Sequence, residues 1–143
     1  MKSAVLIALA SLALFAVPAY AAPKFSFGTD NGEYSNDGEC DDPRFAGKGM
    51  TTTPLLSDDI LNDASDCKAA FERGTINLRG VSDAGVPDFG DDNGEYSKDG
   101  ECDDMRFKGR GMTATPLLEE DIQHDASDCS DAFQKGTIEL VLK

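Results

Sequence analysis

The sequence predicts a small α+β protein built from two tandem homologous modules, each with short strands, an acidic loop, one or two short helices and a disulfide staple. The first observation is a repeat: residues 27–79 realign on residues 89–141 without a gap, and 37 of these 53 positions are identical. The second is a pair of cysteines in each copy. The third is an alternation of polar and apolar residues at the module ends, which is typical of strands.

The alternating segments predict where the strands lie. Residues 24–27 and 75–78 alternate at the two ends of the first copy, and residues 137–142 alternate at the end of the second. We expect these end segments to pair in a small sheet. Residues 30–49 are rich in Asp, Asn and Gly and have no apolar period, so they are predicted to be loop.

Two helical segments are expected between the strands of each copy. Residues 54–61 have Pro near the start and acids after it, which favours a short helical turn. Residues 63–73 predict a second helix, with Ser65 or Asp66 as its N-cap and Gly74 as its stop. Residues 125–135 repeat this pattern in the second copy.

The N-terminus has the features of a secretory signal peptide. A short basic start, an apolar run and an Ala-x-Ala site predict a signal over residues 1–21, and the apolar run is too short for a transmembrane span. The remaining domains are then module 1 (residues 25–79), a turn-rich linker (residues 80–88) and module 2 (residues 89–143). The prediction is a secreted or periplasmic protein that does not insert into the membrane once the signal is cleaved.

The net charge restricts the class of partner. The chain carries −14 at neutral pH, and loss of Lys2 with the signal takes it to −15. Nucleic acid is excluded as a partner because phosphate binding needs clustered Lys and Arg. The acids recur at fixed places in both copies, which indicates that the protein binds cations.

The four cysteines are predicted to form structural disulfides. Each module is near the size at which an apolar core alone is marginal, and an exported chain is in a compartment where disulfides persist. Four cysteines allow three pairings. The repeat favours one bridge within each copy, Cys40–Cys67 and Cys102–Cys129, over pairing between copies or free thiols.

Two acidic boxes surround the cysteines of each module. Residues 37–42 place four carboxylates around the first cysteine, and residues 63–67 place two more before the second. A bridge between the two cysteines would bring both boxes together. Hard oxygen donors without a repeated histidine favour Ca²⁺ over Zn²⁺ or copper, and the spacing does not fit an EF-hand.

The boxes resemble those of the Notch-type LNR repeat, a small disulfide-rich module that folds around one Ca²⁺. The family's N-D-G-x-C-D box is similar to residues 36–41 and 98–103, and its D-G-x-D-C box is similar to residues 63–67 and 125–129. The resemblance implies one Ca²⁺ per module, with three Asp side chains and one Glu carbonyl as ligands. Those positions are Asp37, Glu39, Asp63 and Asp66 in module 1, and Asp99, Glu101, Asp125 and Asp128 in module 2.

Other recurring residues have less direct roles. Asp30, Glu33, Asp41 and Asp42 are secondary ligand candidates. Arg44 and its counterpart Arg106 are expected to pair internally with an acid. Tyr34, Phe45, Phe71 and their counterparts are expected in the core. The single histidine, His124, has no counterpart and is given no catalytic or zinc role.

The sequence therefore predicts an exported, non-enzymatic, calcium-binding tandem-repeat protein with a structural or protein-binding role, whose partner could be another exported protein. One alternative is a periplasmic buffer or sensor for calcium or lanthanides. A hydrolase that uses paired carboxylates is a further, disfavoured alternative, because two small modules leave little room for a cleft.

Overall fold

The computed structural model describes residues 24–82 and 84–143, so the predicted signal peptide lies outside the described residues. It confirms the small α+β fold with two similar disulfide-bridged halves. In the first half the elements are β1 (Phe45–Gly47), a 3₁₀ turn (Ser57–Asp59), α1 (Ala64–Glu72) and β2 (Ile76–Leu78). The second half repeats them as β3 (Phe107–Gly109), a 3₁₀ turn (Glu119–Asp121), α2 (Ala126–Gln134) and β4 (Ile138–Leu140).

Each half contains one two-stranded antiparallel sheet. β1 pairs with β2, with Phe45 opposite Leu78 and Gly47 opposite Ile76, and β3 pairs with β4 in the same register. The predicted strand at residues 24–27 was wrong, and so was the prediction that residues 30–49 contain no strand. Phe25 and Phe27 satisfy the alternating pattern by packing against the core without joining the sheet.

The core of each half forms around its disulfide. Cys40, Phe45, Cys67, Ala70 and Ile76 are fully buried in the first half. Four phenylalanines then pack edge to face or stacked, with ring centroids 5.1–6.3 Å apart; they are Phe25, Phe27, Phe45 and Phe71.

The aromatic core is smaller in the second half. Pro87 stands where the first half has Phe25, so three rings remain: Phe89, Phe107 and Phe133. With that neighbour missing, Phe133 is 37% exposed. The core prediction is confirmed for Phe45 and Phe107, but it was wrong for Tyr34 and Tyr96, each of which is 40% exposed.

The two halves exchange their ends. The Ser26 N–H, before the first half, donates to the Leu142 carbonyl at 2.7 Å, and the Asp88 N–H, before the second half, donates to the Gly80 carbonyl at 2.7 Å. Ser26 and Asp88 are equivalent in the repeat, as are Gly80 and Leu142. Each leading segment therefore bonds the segment that follows the other half, as in a twofold-symmetric dimer.

Two buried arginines repeat this symmetry. Arg44 donates to the Val141 carbonyl at 3.3 Å, and Arg106 donates to the carbonyl of Arg79 at 3.0 Å. Positions 79 and 141 are equivalent, so each half places its arginine on the same carbonyl of the other half. Each arginine also bonds the leading segment of its own half, through the carbonyl of Ser26 or of Asp88.

Candidate functional site

The disulfides bring the two acidic boxes of each half together. Cys40 bonds Cys67 and Cys102 bonds Cys129, with Cα atoms 4.5 and 4.6 Å apart. The pairing within each copy is therefore confirmed. Each bridge ties the loop of the first box to the helix that begins within the second box, and all four cysteines are buried.

In the first half, the predicted ligand acids hold the backbone of the first box. Asp37 accepts the Glu39 N–H at 3.0 Å, and Asp66 accepts the Gly38 N–H at 3.1 Å. Asp63 accepts the Asp41 N–H through Oδ2 at 2.7 Å. The second half makes the same three bonds at 2.8–3.0 Å. Each of these carboxylates thus uses one oxygen to fix the loop.

The loop of the first box turns at two residues with positive φ. Asn36 has φ 67° and Gly38 has φ 100°, both in the left-handed region that few residues adopt easily. Lys98 and Gly100 repeat these angles in the second half. With these two turns in the loop, the amides at positions 38, 39 and 41 donate to the carboxylates, whereas the Cys40 N–H donates to the Gly49 carbonyl.

The second oxygen of Asp63 and one oxygen of Asp41 have no partner. Asp63 is 1% exposed and Asp41 is 2% exposed, and among the described residues neither Asp63 Oδ1 nor Asp41 Oδ2 makes a hydrogen bond. Asp125 Oδ1 and Asp103 Oδ2 repeat this in the second half. A buried carboxylate oxygen without a donor is costly, and a bound cation or a proton would relieve it.

Burial and mutual repulsion weaken the acidity of these four groups. Burial, then the charge of Asp37, raises the pKa of Asp41 to about 6. Burial also raises the pKa of Asp63 to about 6, with further contributions from the charges of Asp66 and Asp41. In the second half, the pKa of Asp103 rises to about 6 and that of Asp125 to about 7, again chiefly through burial.

Each half also contains a cysteine and aspartate group that could hold a metal ion. One potential ligand atom from each of Cys40, Asp63 and Cys67 lies within 4.8 Å of the other two, and Cys102, Asp125 and Cys129 repeat the group. The sulfurs are in a disulfide, however, and a metal binds the thiolate form of cysteine. Oxygen is therefore the donor that this group offers, which suits a hard cation better than zinc or copper.

The structure separates Asp41 from its neighbour Asp42. Asp42 is buried against the Arg44 guanidinium in a bidentate pair and also accepts the Leu61 N–H at 2.9 Å. Asp104 and Arg106 form the same pair, so the predicted internal role of the arginines is confirmed. The Asp-x-Arg spacing could have predicted this difference from the sequence. It pairs Asp42 with Arg44 and leaves Asp41 without an arginine partner.

Asp30 is a helix cap rather than a free ligand. Its carboxylate accepts both the backbone N–H and the hydroxyl of Ser65 at 2.7 Å, at the start of α1. Neither Ser65 nor Asp66 caps α1 as predicted, and the N-cap residue itself, Asp63, makes no capping bond. Asp92 caps α2 through Ser127 in the same way, and its pKa falls to about 2 because of these bonds.

The side chains of the remaining predicted residues, Glu39, Glu101 and His124, are exposed. The charge of Glu39 contributes to the raised pKa of Asp41. His124 pairs with Asp91. The assignment of Asp37, Glu39, Asp63, Asp66 and their counterparts as metal ligands stays a prediction.

Comparison of the chain with known protein families, with curated proteins and with solved structures finds no match. Within residues 24–82 and 84–143, no helix has the length and apolar character that a membrane span requires. What the chain does must therefore be inferred from the two acidic sites themselves.

Proposed function

We propose that this is an exported, non-enzymatic protein that binds one Ca²⁺ in each half and has a structural or protein-binding role. The observation that carries the proposal is the buried, unpartnered oxygens of Asp41 and Asp63, repeated by Asp103 and Asp125. Asp37 and Asp66 each already use one carboxylate oxygen to accept a loop amide, and their charges act on Asp41 and Asp63. A cation would supply the missing partner and remove the repulsion within each group.

Calcium fits the donors better than other common metals. The available donors are carboxylate oxygens and loop carbonyls, and Ca²⁺ takes six to eight oxygens in flexible geometry. The disulfides remove thiolate from the set. A site filled at a hundred times its Kd would stabilise the fold by about 2.7 kcal/mol, which is comparable to the cost of ionising one of these buried carboxylates.

Thermal unfolding at increasing Ca²⁺ concentration tests the proposal directly. The oxidised protein from Ala22 to Lys143 is stripped with chelator, and its Tm is recorded against Ca²⁺ concentration. The matched variant carries Asp63→Asn and Asp125→Asn, which keep an acceptor for the loop amide but remove the charge. We expect the Tm of the wild type to rise with Ca²⁺ and that of the variant to stay flat.

A charge-matched control excludes a general effect of acidity. Glu72 and Glu139 are exposed, and the other copy carries Gln134 and Asn77 at the equivalent positions. The variant Glu72→Gln with Glu139→Asn therefore loses the same two charges and should respond to Ca²⁺ like the wild type. A wild-type melt indifferent to Ca²⁺ would refute the calcium site and leave a disulfide-stapled binding module.

The half-saturating concentration separates the structural role from a calcium or lanthanide buffer. A structural site outside the cell need bind only at about 10⁻⁴ to 10⁻³ M. Binding a thousandfold tighter than that, or strong preference for a lanthanide, would favour the buffer or sensor. Titration calorimetry should give two equivalents per chain in either case.

A further inference from the structure

The second half contains a small amphipathic pocket whose lining includes no residue of the two acidic boxes. Its volume is about 220 Å³. It is formed where the loop before the first box meets the 3₁₀ turn. Its lining residues are Asn93, Gly94, Glu95, Tyr96, Leu118, Glu120 and Asp121.

The pocket contains a buried carboxylate without a partner. Asp121 is 2% exposed, and no side-chain hydrogen bond among residues 24–82 and 84–143 ends on its carboxylate. Burial raises its pKa, and the charges of Glu120 and Glu95 raise it further. A buried acid that faces a cavity between two other acids creates a strongly negative site for a cation.

The rim of the same pocket is apolar. Tyr96 is 40% exposed and Leu118 is 37% exposed, although large apolar side chains are usually buried in so small a fold. The combination of an acidic interior and an apolar rim suits a ligand that is charged at one end and aliphatic along its length.

The first half keeps the chemistry of all seven positions. Six residues are identical and the seventh exchanges Asp58 for Glu120, although 16 of the 53 aligned positions differ between the copies. Asp59 is again buried, at 5% exposure, and the rim residues Tyr34 and Leu56 are again exposed, at 40% and 47%. The residues in the first half are Asn31, Gly32, Glu33, Tyr34, Leu56, Asp58 and Asp59.

The apolar rim favours an organic cation over a bare metal ion, because a metal ion has no apolar part to place against Tyr96 and Leu118. The stem of a lysine or arginine lies along apolar surface while its charged end reaches a carboxylate. The face of a tyrosine ring also attracts such a cation.

We propose that this pocket, and its counterpart around Asp59, each bind a lysine or arginine side chain of a partner protein. The proposal rests on the protein-binding role suggested above and does not need the calcium sites. The net charge of −14 favours encounter with a basic surface. Two such binding sites on one chain would allow a partner with two basic side chains to bind both at once.

Tyrosine fluorescence measures occupancy directly. The chain has no tryptophan, and Tyr34 and Tyr96 are the tyrosines of the described residues, so their emission reports on the two pockets. The probe is a short lysine-containing peptide, and its control is the same peptide with every lysine acetylated, which keeps the stem and removes the charge. We expect saturable binding of the first peptide and none of the second, in chelator as well as in Ca²⁺.

Matched variants assign the binding to the pocket. The variant Asp59→Asn with Asp121→Asn should bind the lysine-containing peptide about tenfold or more weakly, because each change removes one charge-assisted contact. The exposed pair Glu72→Gln with Glu139→Asn loses the same charge and should bind as the wild type does. Leu56→Ser with Leu118→Ser keeps every charge and should also weaken binding.

The opposite results overturn the proposal in recognisable ways. Equal losses in the pocket variant and the exposed control would show that the peptide responds only to net charge. Displacement of the peptide by Ca²⁺, with loss of a calcium equivalent in the pocket variant, would make the pocket a metal site. Asp63→Asn with Asp125→Asn should still bind the peptide, so failure of the calcium proposal is read separately from failure of this one.

Discussion

In the absence of calcium, neutralising Asp63 should stabilise the protein. The pKa of this carboxyl rises from 3.8 to about 6, so ionising it in the folded state costs roughly 3 kcal/mol, since each tenfold change in proton affinity is worth about 1.4 kcal/mol. The pKa of Asp125 rises to about 7, which gives roughly 4 kcal/mol. Asparagine at both positions removes this cost at pH 8, where both carboxyls are otherwise charged.

The gain should be smaller than the sum of these two costs. Each asparagine keeps the acceptor for the loop amide but places an NH₂ group at the unpartnered oxygen, where it needs an acceptor of its own. If about half is realised, the double variant gains about 3 kcal/mol, or roughly 10 °C in Tm for a chain of this size. Differential scanning calorimetry in chelator measures it, with the exposed pair Glu72→Gln and Glu139→Asn as the charge-matched control.

A fall in Tm for the Asp63 and Asp125 variant in chelator would refute this reasoning. It would mean that the charged carboxylates make a net favourable contact in the calcium-free fold. A rise in the exposed control of the same size would attribute the effect to net charge alone. We therefore expect two results together: the variant has a higher Tm than the wild type in chelator, and its Tm does not rise with Ca²⁺.

Three further predictions follow from the same contacts. In chelator the wild type should become more stable as the pH falls from about 7 towards 4, because the four unpartnered carboxyls bind protons more tightly when folded; a flat urea midpoint over this range would contradict their raised pKa values. Arg44→Met should cost about 3–5 kcal/mol because it leaves the buried charge of Asp42 without its partner, and adding Asp42→Asn should recover part of the loss in the same denaturation assay. Asp30→Ala should lower the Tm and speed amide exchange in the first turn of α1; unchanged exchange at Ser65 would show that this cap contributes nothing.

Features encoded locally were predictable from the sequence. The helices lie within one residue of their predicted ends, because a helix start and a glycine stop are set by neighbouring residues. The disulfide pairing followed from the repeat, since a module that closes on itself must bond its own two cysteines. The pairing of each arginine with an acid was also predictable, because the acid lies two positions earlier in the chain.

Features that depend on distant residues were not predictable. β1 has only three residues and sits inside an acidic loop, so no alternation could reveal it. Asp30 caps a helix 35 positions away, although a nearer Ser and Asp matched the capping pattern. The alternation at residues 24–27 was real, but the Ser26 N–H met the far end of the chain instead of a neighbouring strand. Tyr96 likewise lines a pocket together with residues of a 3₁₀ turn more than 20 positions away.

The exchange of leading and trailing segments closes the repeat on itself. Most tandem repeats stack in an open row, in which the last copy still offers a face to the next. Here the segment after the second copy already bonds Ser26, so a third copy placed after Leu142 would find its docking position filled. The same proximity allows circular permutation: a short link between the segments at Ser26 and Leu142, with new ends opened between the halves, should keep both halves and their contacts. Two copies are in this sense a complete ring rather than the start of an array.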